Sequence, residues 1–296
     1  EILKLDWNES TQGIDNNIFE KILKQLSLSK FNIYPQLGSD ELKNKLSNYT
    51  NNHKLNIEVF NGSDNALDAI CKTFLDLKDE ISMISPTYTN FGTISQTYGS
   101  KVIDIVMPRP FDTDMDFIIN SVKKIKPKIC YLANPNNPTG VFYKLDEIES
   151  LILKNPKVLF VIDEAYYEFS EGSCSELINT YNNLFVVRSF SKAFGLAGLR
   201  VGYLIGCKDL INKISLVINK KDVNLVGQLA SCLCLDNKSY MTDFVTEVKE
   251  QQIRISSFFT EKGFKNNFGG GNFLMVKVSN PQEFVKKCAA ENLFIR

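Results

Sequence analysis

A short run near the middle of the chain combines a lysine with groups that bind anions. Residues 189–202 read SFSKAFGLAGLRVG and contain Ser189, Ser191, Lys192 and Arg200. A lysine amine can hold an aldehyde covalently while neighbouring hydroxyls and a guanidinium hold a phosphate. Taken alone, such a lysine is more often a solvated loop residue. The run therefore gains meaning only from what the rest of the chain supplies.

Three other segments carry polar groups next to predicted secondary structure. Asn134–Gly140 reads NPNNPTG, whose prolines and glycine fix a tight turn. Asp163–Tyr166 follows an apolar strand, where open α/β sheets bind ligands. Asn61–Asp64 precedes a helix predicted to begin near Asn65, and a helix start offers unpaired N–H groups to a phosphate. Each segment also has an ordinary structural explanation as a turn or a helix cap.

Short apolar runs alternate with stretches of helical periodicity from about residue 56 to residue 207. Apolar residues recur at helix spacing from Ala66 to Leu75 and from Leu145 to Ile152. This alternation predicts an α/β fold with a mostly parallel sheet covered by helices. The predicted strands are Ile81–Ser85, Lys101–Val106, Lys128–Ala133, Lys157–Ile162, Leu184–Arg188 and Val201–Gly206.

The remaining segments predict a second, smaller domain. A long helical region begins at Lys208, and after Gly263 the chain becomes rich in turns, with Gly269–Gly271 read as a turn before a strand. The predicted tail elements are strand Phe273–Val278, helix Gln282–Glu291 and strand Leu293–Ile295. We expect a large domain at 36–245 and a discontinuous small domain made of 1–35 and 246–296. Because the chain opens without methionine and stops within a predicted strand, we also expect it to be truncated.

Composition excludes several classes of protein. The 296 residues contain 34 Lys+Arg and 34 Asp+Glu, so the net charge of zero provides no basic field for nucleic acid or an anionic membrane. Seven scattered cysteines and one histidine argue against a metal site and favour a reducing, cytoplasmic location. No apolar run is long enough to cross a bilayer. His53, in a polar stretch, is predicted to be a solvated surface residue.

In type and in their order along the chain, the motifs resemble those of the class I and II aminotransferases of the fold type I pyridoxal 5'-phosphate (PLP) enzymes. The resemblance is closest to the histidinol-phosphate aminotransferase branch and runs from Asn8-Glu9 to the strand that begins at Asn272-Phe273. It implies the aspartate aminotransferase-like fold, with a three-layer α/β/α large domain and a smaller α/β domain. It also implies PLP carried on Lys192, a homodimer with shared active sites, and a role in amino acid biosynthesis.

The resemblance assigns a residue to each part of the cofactor. Besides Lys192, the catalytic residues would be Asp163, paired with the pyridine nitrogen, and Tyr166, which with Asn137 would hydrogen-bond the phenolic oxygen. Tyr88 would stack on the ring. The phosphate would be held by Gly62, Ser63, Asp64, Ser189, Ser191 and Arg200, and by Tyr34 of the partner subunit.

The substrate is less well defined by the motifs. The resemblance implies amino transfer between a small amino compound, phosphorylated or not, and a keto acid such as 2-oxoglutarate, with Asn8 and Arg296 as substrate-binding residues. In the histidinol-phosphate branch the opening motif commonly reads Asn-Glu-Asn-Pro-Tyr-Gly, whereas here Gln12 replaces the aromatic residue. A further family arginine beyond Arg296 has no match.

Two other functions remain open at this stage. One is decarboxylation of a phosphorylated amino acid on the same scaffold, because such enzymes select the bond that stands perpendicular to the ring. The other is a regulator or binding module without turnover. The second is disfavoured because a binding module has no need for both the base Lys192 and the electron-withdrawing partner Asp163.

Overall fold

The computed structural model describes residues 2–109, 111 and 113–296 of the chain. The strands are β1 Leu3–Lys4, β2 Ile57–Phe60, β3 Glu80–Ser85, β4 Lys101–Val106, β5 Ile129–Ala133, β6 Leu159–Asp163, β7 Leu184–Ser189, β8 Gly202–Gly206, β9 Asn266–Phe268, β10 Leu274–Val276 and β11 Leu293–Phe294. The helices are α1 Asn16–Ser27, α2 Asp40–Thr50, α3 Ser63–Phe74, α4 Asn90–Thr97, α5 Met115–Ile125, α6 Leu145–Lys154, α7 Lys208–Ser215, α8 Leu225–Asp236, α9 Ser239–Glu261 and α10 Pro281–Ala290.

A seven-stranded sheet forms the centre of the molecule, in the order β2-β8-β7-β6-β5-β3-β4. The five strands from β7 to β4 run parallel, whereas β8 pairs antiparallel with both β7 and β2. All residues of β5, β7 and β8 are buried, as expected for strands covered on both faces. The fold is therefore α/β with a mostly parallel sheet, as predicted.

Two separate cores lie on the two faces of this sheet. One face packs against α3, α4 and α7, through residues such as Leu67, Phe91 and Ile211. The other face packs against α1, α2, α5, α6, α8 and α9, with Leu46 and Leu151 among its fully buried residues. Side chains along each strand point alternately to the two faces and pack into the two cores. This gives the predicted three-layer arrangement.

The six strands predicted for the central sheet are all present, with ends displaced by at most two residues, and the two predicted tail strands correspond to β10 and β11, whereas β1 and β9 were not predicted. The prediction missed β2, because Ile57–Phe60 is a four-residue apolar segment placed directly before a helix start, where length does not separate strand from helix. It also treated Lys208 onward as one helical region. The structure divides that region into α7, α8 and α9, and Asn224 caps α8 by accepting a hydrogen bond from the Gly227 N–H at 2.7 Å.

The two ends of the chain meet in space. β1 pairs parallel with β11, Leu3 opposite Leu293, and β9 and β10 form an antiparallel pair beside α9. The N-terminal segment does not pack on the tail alone, since Ile18 and Ile22 of α1 join the core that contains α8. The division into domains at 36–245 and at 1–35 with 246–296 stays a prediction.

Candidate active site

The predicted site residues gather at the carboxyl ends of β5, β6 and β7. Register places Ala133 opposite Asp163, and Asp163 opposite Val187, so the loops that follow these strands begin side by side. Asn137 lies in the first loop and Lys192 in the third. Parallel strands therefore bring together residues that are far apart in sequence, at the edge where α/β sheets bind ligands.

Lys192 is partly buried and faces the N-terminal segment. Its Nζ donates a hydrogen bond to the Trp7 carbonyl oxygen at 2.9 Å and lies 5.6 Å from the centre of the Tyr166 ring. Burial, and after it the nearby charge of Arg296, lowers the pKa of Lys192 to about 8. A lowered pKa leaves more of the amine neutral near pH 7, the form that attacks a carbonyl and accepts protons.

Asp163 is buried at the end of β6. Its Oδ1 accepts the Ala165 N–H at 3.0 Å, and its Oδ2 accepts the hydroxyl of Tyr131 at 2.7 Å. Burial raises the pKa of Asp163 to about 6, although both hydrogen bonds oppose this rise. Tyr131 was not among the predicted residues; its only signal in the sequence is that it is the one tyrosine in the otherwise apolar strand β5.

Tyr166 receives hydrogen bonds from two amides. Asn8 Nδ2 donates to its hydroxyl oxygen at 3.0 Å and Asn137 Nδ2 at 3.2 Å, while Arg296 Nη2 donates to Asn137 Oδ1 at 3.1 Å. Burial raises the pKa of Tyr166 to about 12, so the phenol stays protonated. Phe273 packs edge-on against its ring, with centroids 5.0 Å apart. Three of the predicted residues thus meet at the Tyr166 hydroxyl, and Arg296 joins them through Asn137.

The start of α3 lies directly against β8. A Cβ built on Gly202 would collide with the Ser63 backbone nitrogen, and one on Gly62, whose φ is +90°, would lie 2.5 Å from Arg200 Nη2. The helix begins at Ser63, two residues before the predicted start. Gly62 is the cap residue and Ser63 is the first helical residue, so the explanation of Ser63 as a helix cap does not hold.

The side chains around this helix start form one polar group. Asp64 Oδ1 accepts from the Tyr88 hydroxyl at 3.1 Å and from Asn90 Nδ2 at 2.9 Å, and Asp64 Oδ2 lies 3.5 Å from Arg200 Nη2. An open cavity of about 490 Å³ adjoins it, lined by Asn61, Asp64, Asn65 and Asp222. Asn90 was not among the predicted residues.

Two buried serines lie next to this group, because Ser189 pairs with Gly202 of β8, which lies against the α3 start. Ser189 is the last residue of β7, and its hydroxyl oxygen accepts the Ser191 N–H at 3.0 Å. Both serines are buried. Together with the α3 N–H groups and Arg200 they form a donor set suited to phosphate oxygens.

An N-terminal strap, defined here as residues 7–12, crosses the site. Asn8 adopts a left-handed conformation with φ of 53°, and Asn272 Nδ2 donates to its carbonyl oxygen at 3.1 Å. Gln12, at the position of the family aromatic, donates from Nε2 to Glu247 Oε2 of α9 at 2.5 Å. The strap therefore presents a polar, hydrogen-bonded side chain where the branch commonly has a ring.

The triple glycine is more than a turn before a strand. A Cβ on Gly269 would collide with the backbone of Gly140, and one on Gly270 would collide with the ring of Pro135. The tail therefore packs by backbone contact against the loop that carries Asn137. The prediction of an ordinary turn was incomplete because sequence periodicity carries no information on such a distant approach.

The other predicted residues are placed as follows. Tyr34 is 75% exposed, and Lys221 Nζ lies 4.6 Å above its ring, so within one subunit it is outside the group around Lys192. His53 is exposed, and its Nδ1 accepts the Leu55 N–H at 3.2 Å. Within residues 2–109, 111 and 113–296, no His, Cys, Asp and Glu side chains cluster in a way that could bind a metal, and no helix could span a membrane.

This arrangement fits PLP part by part. The donors at the α3 start suit the phosphate, and the buried carboxylate of Asp163 suits the pyridine nitrogen. The Asn137 amide and the Tyr166 hydroxyl suit the phenolic oxygen, and the Lys192 amine suits the aldehyde. Glycines at 62 and 202, where a Cβ would collide, leave room for a close backbone approach.

Comparison with known proteins agrees with this chemistry. The family model for aminotransferase class I and II matches residues 1–296. The chain is 38% identical, over all of its length and 82% of the relative's, to a dihydroxyacetone phosphate transaminase of Campylobacter jejuni. It is 31% identical to a histidinol-phosphate aminotransferase of Ruminiclostridium cellulolyticum, over 99% of this chain and 83% of the relative.

Solved structures show the same fold. Histidinol-phosphate aminotransferase from Sinorhizobium meliloti, in complex with pyridoxal-5'-phosphate, superposes with a TM-score of 0.92 at 21% identity, covering 100% of this chain and 82% of that one. L-threonine-O-3-phosphate decarboxylase from Porphyromonas gingivalis superposes with a TM-score of 0.84 at 23% identity, covering 100% of this chain and 89% of that one. The chain thus belongs to the class I and II aminotransferases and is a PLP-dependent transaminase.

Proposed function

We propose that this enzyme transfers an amino group between an amino acid such as glutamate, which becomes 2-oxoglutarate, and a small phosphorylated carbonyl compound such as dihydroxyacetone phosphate. The observation that carries this proposal is the position of Arg296. Its guanidinium donates to Asn137 Oδ1 at 3.1 Å, and its charge adds to burial in lowering the pKa of Lys192, so a cation lies in the neighbourhood of this amine. A substrate phosphate or carboxylate would be held there.

The side chain of Gln12 in the strap supports a small carbonyl substrate. Gln12 stands where an aromatic residue is common in the histidinol-phosphate branch, and its amide is bound to Glu247. A polar side chain offers an imidazole ring no aromatic face to pack against. The 38% identical relative is named for dihydroxyacetone phosphate, which has no ring, and this supports a small substrate.

The site residues that we propose act as follows. PLP would supply the electron sink, Lys192 would hold it covalently, and the Lys192 amine would move a proton to and from the substrate Cα. Asp163 keeps the pyridine nitrogen protonated. Asn137 and Tyr166 hold the phenolic oxygen, and Tyr88 covers the ring. Asn8, whose amide donates to the Tyr166 hydroxyl, would bind substrate together with Arg296.

The phosphate of PLP would be held by Gly62, Ser63 and Asp64 at the α3 start, together with Ser189, Ser191 and Arg200. Tyr34 of a second subunit would complete this set. In support of a homodimer, Tyr34 lies in an exposed apolar segment, where Leu28 is 79%, Phe31 68% and Leu37 59% exposed. Static light scattering of the holoenzyme should give the mass of two chains; a monomer with full activity would contradict the shared site.

The cysteines bear on location. All seven are free, and five of them are buried. Free thiols at this density are typical of a reducing compartment. We propose that the enzyme works in the cytoplasm.

A two-stage single-turnover experiment tests the reaction. Glutamate is added to the holoenzyme, and conversion of the bound cofactor to its amine form is followed by absorbance. Excess dihydroxyacetone phosphate should then restore the starting spectrum faster than the keto partner of histidinol phosphate does. Restoration by the second compound alone would contradict the small-substrate proposal. Release of carbon dioxide from threonine phosphate, without the amine form, would favour the decarboxylase alternative, which at present has only a fold likeness behind it.

Lys192→Ala tests the covalent assignment separately. The variant should bind PLP without forming a borohydride-reducible link and should lose amino transfer. Lys221→Ala is the matched control, because its amine lies over Tyr34 and not at the carboxyl ends of the strands. A reducible link that survives in Lys192→Ala would show that another lysine carries the cofactor.

A further inference from the structure

Tyr131 contacts Asp163 but has no role in the proposed function. It lies on β5, opposite Val161 of β6, two positions before the pair formed by Ala133 and Asp163. From there its hydroxyl extends along the strand direction and donates to Asp163 Oδ2 at 2.7 Å. The Ala165 N–H occupies the other oxygen at 3.0 Å, so both carboxylate oxygens have a donor inside the protein.

The ring of Tyr131 has little freedom. It is fully buried and stacks on Phe91 of α4, with centroids 4.9 Å apart and planes inclined by 14°. Strand β5 is buried along its whole length, which fixes the backbone that carries the ring. A rigid ring that ends in a hydroxyl sets the position of the carboxylate it contacts, and therefore the direction in which Asp163 offers its remaining lone pairs.

Charge is difficult to keep on Asp163. Burial opposes ionisation, and the carboxylates of Asp64 and Glu164 add to that effect. The other titratable groups that face it are the phenols of Tyr88 and Tyr166, both with pKa values raised by burial, so they stay neutral. The hydrogen bonds from Tyr131 and the Ala165 N–H are the contacts that favour the charged form.

We propose that Tyr131 is a positioning residue that keeps the Asp163 carboxylate ionised and aimed at the pyridine nitrogen of PLP. This rests on the proposed role of Asp163 as the partner of that nitrogen. Without the hydroxyl, a buried carboxylate with one donor takes up a proton more readily. A protonated Asp163 cannot hold the pyridine nitrogen in its cationic form, so cofactor affinity and electron withdrawal both fall.

The test is the dissociation constant of PLP from the apoenzyme, measured between pH 5 and 9. Tyr131→Phe keeps the ring and its stacking and removes only the hydroxyl. We expect PLP to bind about tenfold more weakly at pH 7, because a hydrogen bond to a charged group is lost. We also expect the pH below which affinity falls to rise by about one unit.

Tyr98→Phe is the matched control. Tyr98 also donates from its hydroxyl to an aspartate, Asp68 of α3, at 2.9 Å, but outside the predicted site. It should change neither the dissociation constant nor its pH dependence. If Tyr131→Phe lowers the melting temperature while both PLP readouts match those of Tyr98→Phe, Tyr131 is only a packing residue and the proposal is wrong.

Asp163→Asn separates this inference from the assignment on which it rests. If Asp163→Asn leaves PLP affinity unchanged, the role of Asp163 fails, and the inference with it. If Asp163→Asn weakens PLP binding but Tyr131→Phe does not, only the role of Tyr131 fails. In the double variant, Tyr131→Phe should add no further loss to Asp163→Asn, because the hydroxyl acts through that carboxylate.

Discussion

Gly202→Ala is the change for which the structure predicts the clearest effect on cofactor binding. A Cβ at this position would lie 2.7 Å from the Gly62 carbonyl carbon and 2.9 Å from Ser63 Cα, and closer still to Ser63 N. Ordinary contact begins at 3.4 Å, so the start of α3 must move away from β8 by more than the roughly 0.7 Å that would clear the Gly62 carbon alone. The atoms in the way are backbone and cannot rotate aside.

Overpacking of this kind costs roughly 1–3 kcal/mol. Because the strain falls on the N–H groups proposed to hold the phosphate, we expect the dissociation constant of PLP to rise by about 10- to 100-fold. Equilibrium titration of the apoenzyme with PLP measures this directly. The same titration with pyridoxal, which lacks the phosphate, should be nearly unaffected, since the carboxylate and amine ends of the site are not displaced.

Gly198→Ala is the control for Gly202→Ala. It lies in the loop that leads into β8, its φ is not left-handed, and no heavy atom lies within 4 Å of a Cβ built there. This variant should bind PLP as the parent chain does. The reasoning is refuted if Gly202→Ala binds PLP within twofold of the parent, or if pyridoxal and PLP lose affinity equally, because the displacement would then not lie at the phosphate.

Two further predictions concern buried charge. The Arg188 Nε binds the Glu164 carboxylate at 2.9 Å, and the two side chains are 2% and 1% exposed. Arg188→Met leaves that carboxylate buried without its cation and should lower the free energy of unfolding in urea by about 3–5 kcal/mol. Lys101→Met, which breaks an exposed pair, should change it by no more than about 0.5 kcal/mol, and equal losses in the two variants would contradict this reasoning. The pKa of Lys192 in the folded protein is about 8, below its ordinary value of 10.5, so the folded apoenzyme binds fewer protons than the unfolded chain between these values. The free energy of unfolding should therefore rise with pH from about 8 to about 10.5. Lys192→Met should lack that rise, and a rise that persists in this variant would assign it to another group.

Several features of the site could be predicted because they depend on local sequence. A strand followed by a polar loop places that loop at the carboxyl edge of the sheet, whatever the rest of the fold does, and this located Asp163, Asn137 and Lys192. Alternation of apolar runs with helical periodicity predicted six strands of the central sheet within two residues of their ends. The motifs then indicated which group each part of the cofactor would meet.

Other features depend on contacts between distant segments, which periodicity does not describe. The Trp7 carbonyl that binds Lys192 lies 185 positions away in sequence, and no property of Trp7 predicts that its backbone would face an amine. The antiparallel direction of β8 and its pairing with the short strand β2 are likewise contacts between distant segments. Neither is encoded in the composition of the two strands.

The sequence by itself indicated which chemical groups gather at this edge of the sheet, because position after a strand predicts the edge at which a residue lies and the motifs resemble those of the aminotransferases. Only the tertiary structure decided how these groups are held: Tyr131 bound to Asp163, Gly202 against the α3 start, and Gly269 against Gly140. The physical reason is that positioning and ionisation depend on distances, burial and neighbouring charge, which exist only once the chain has packed.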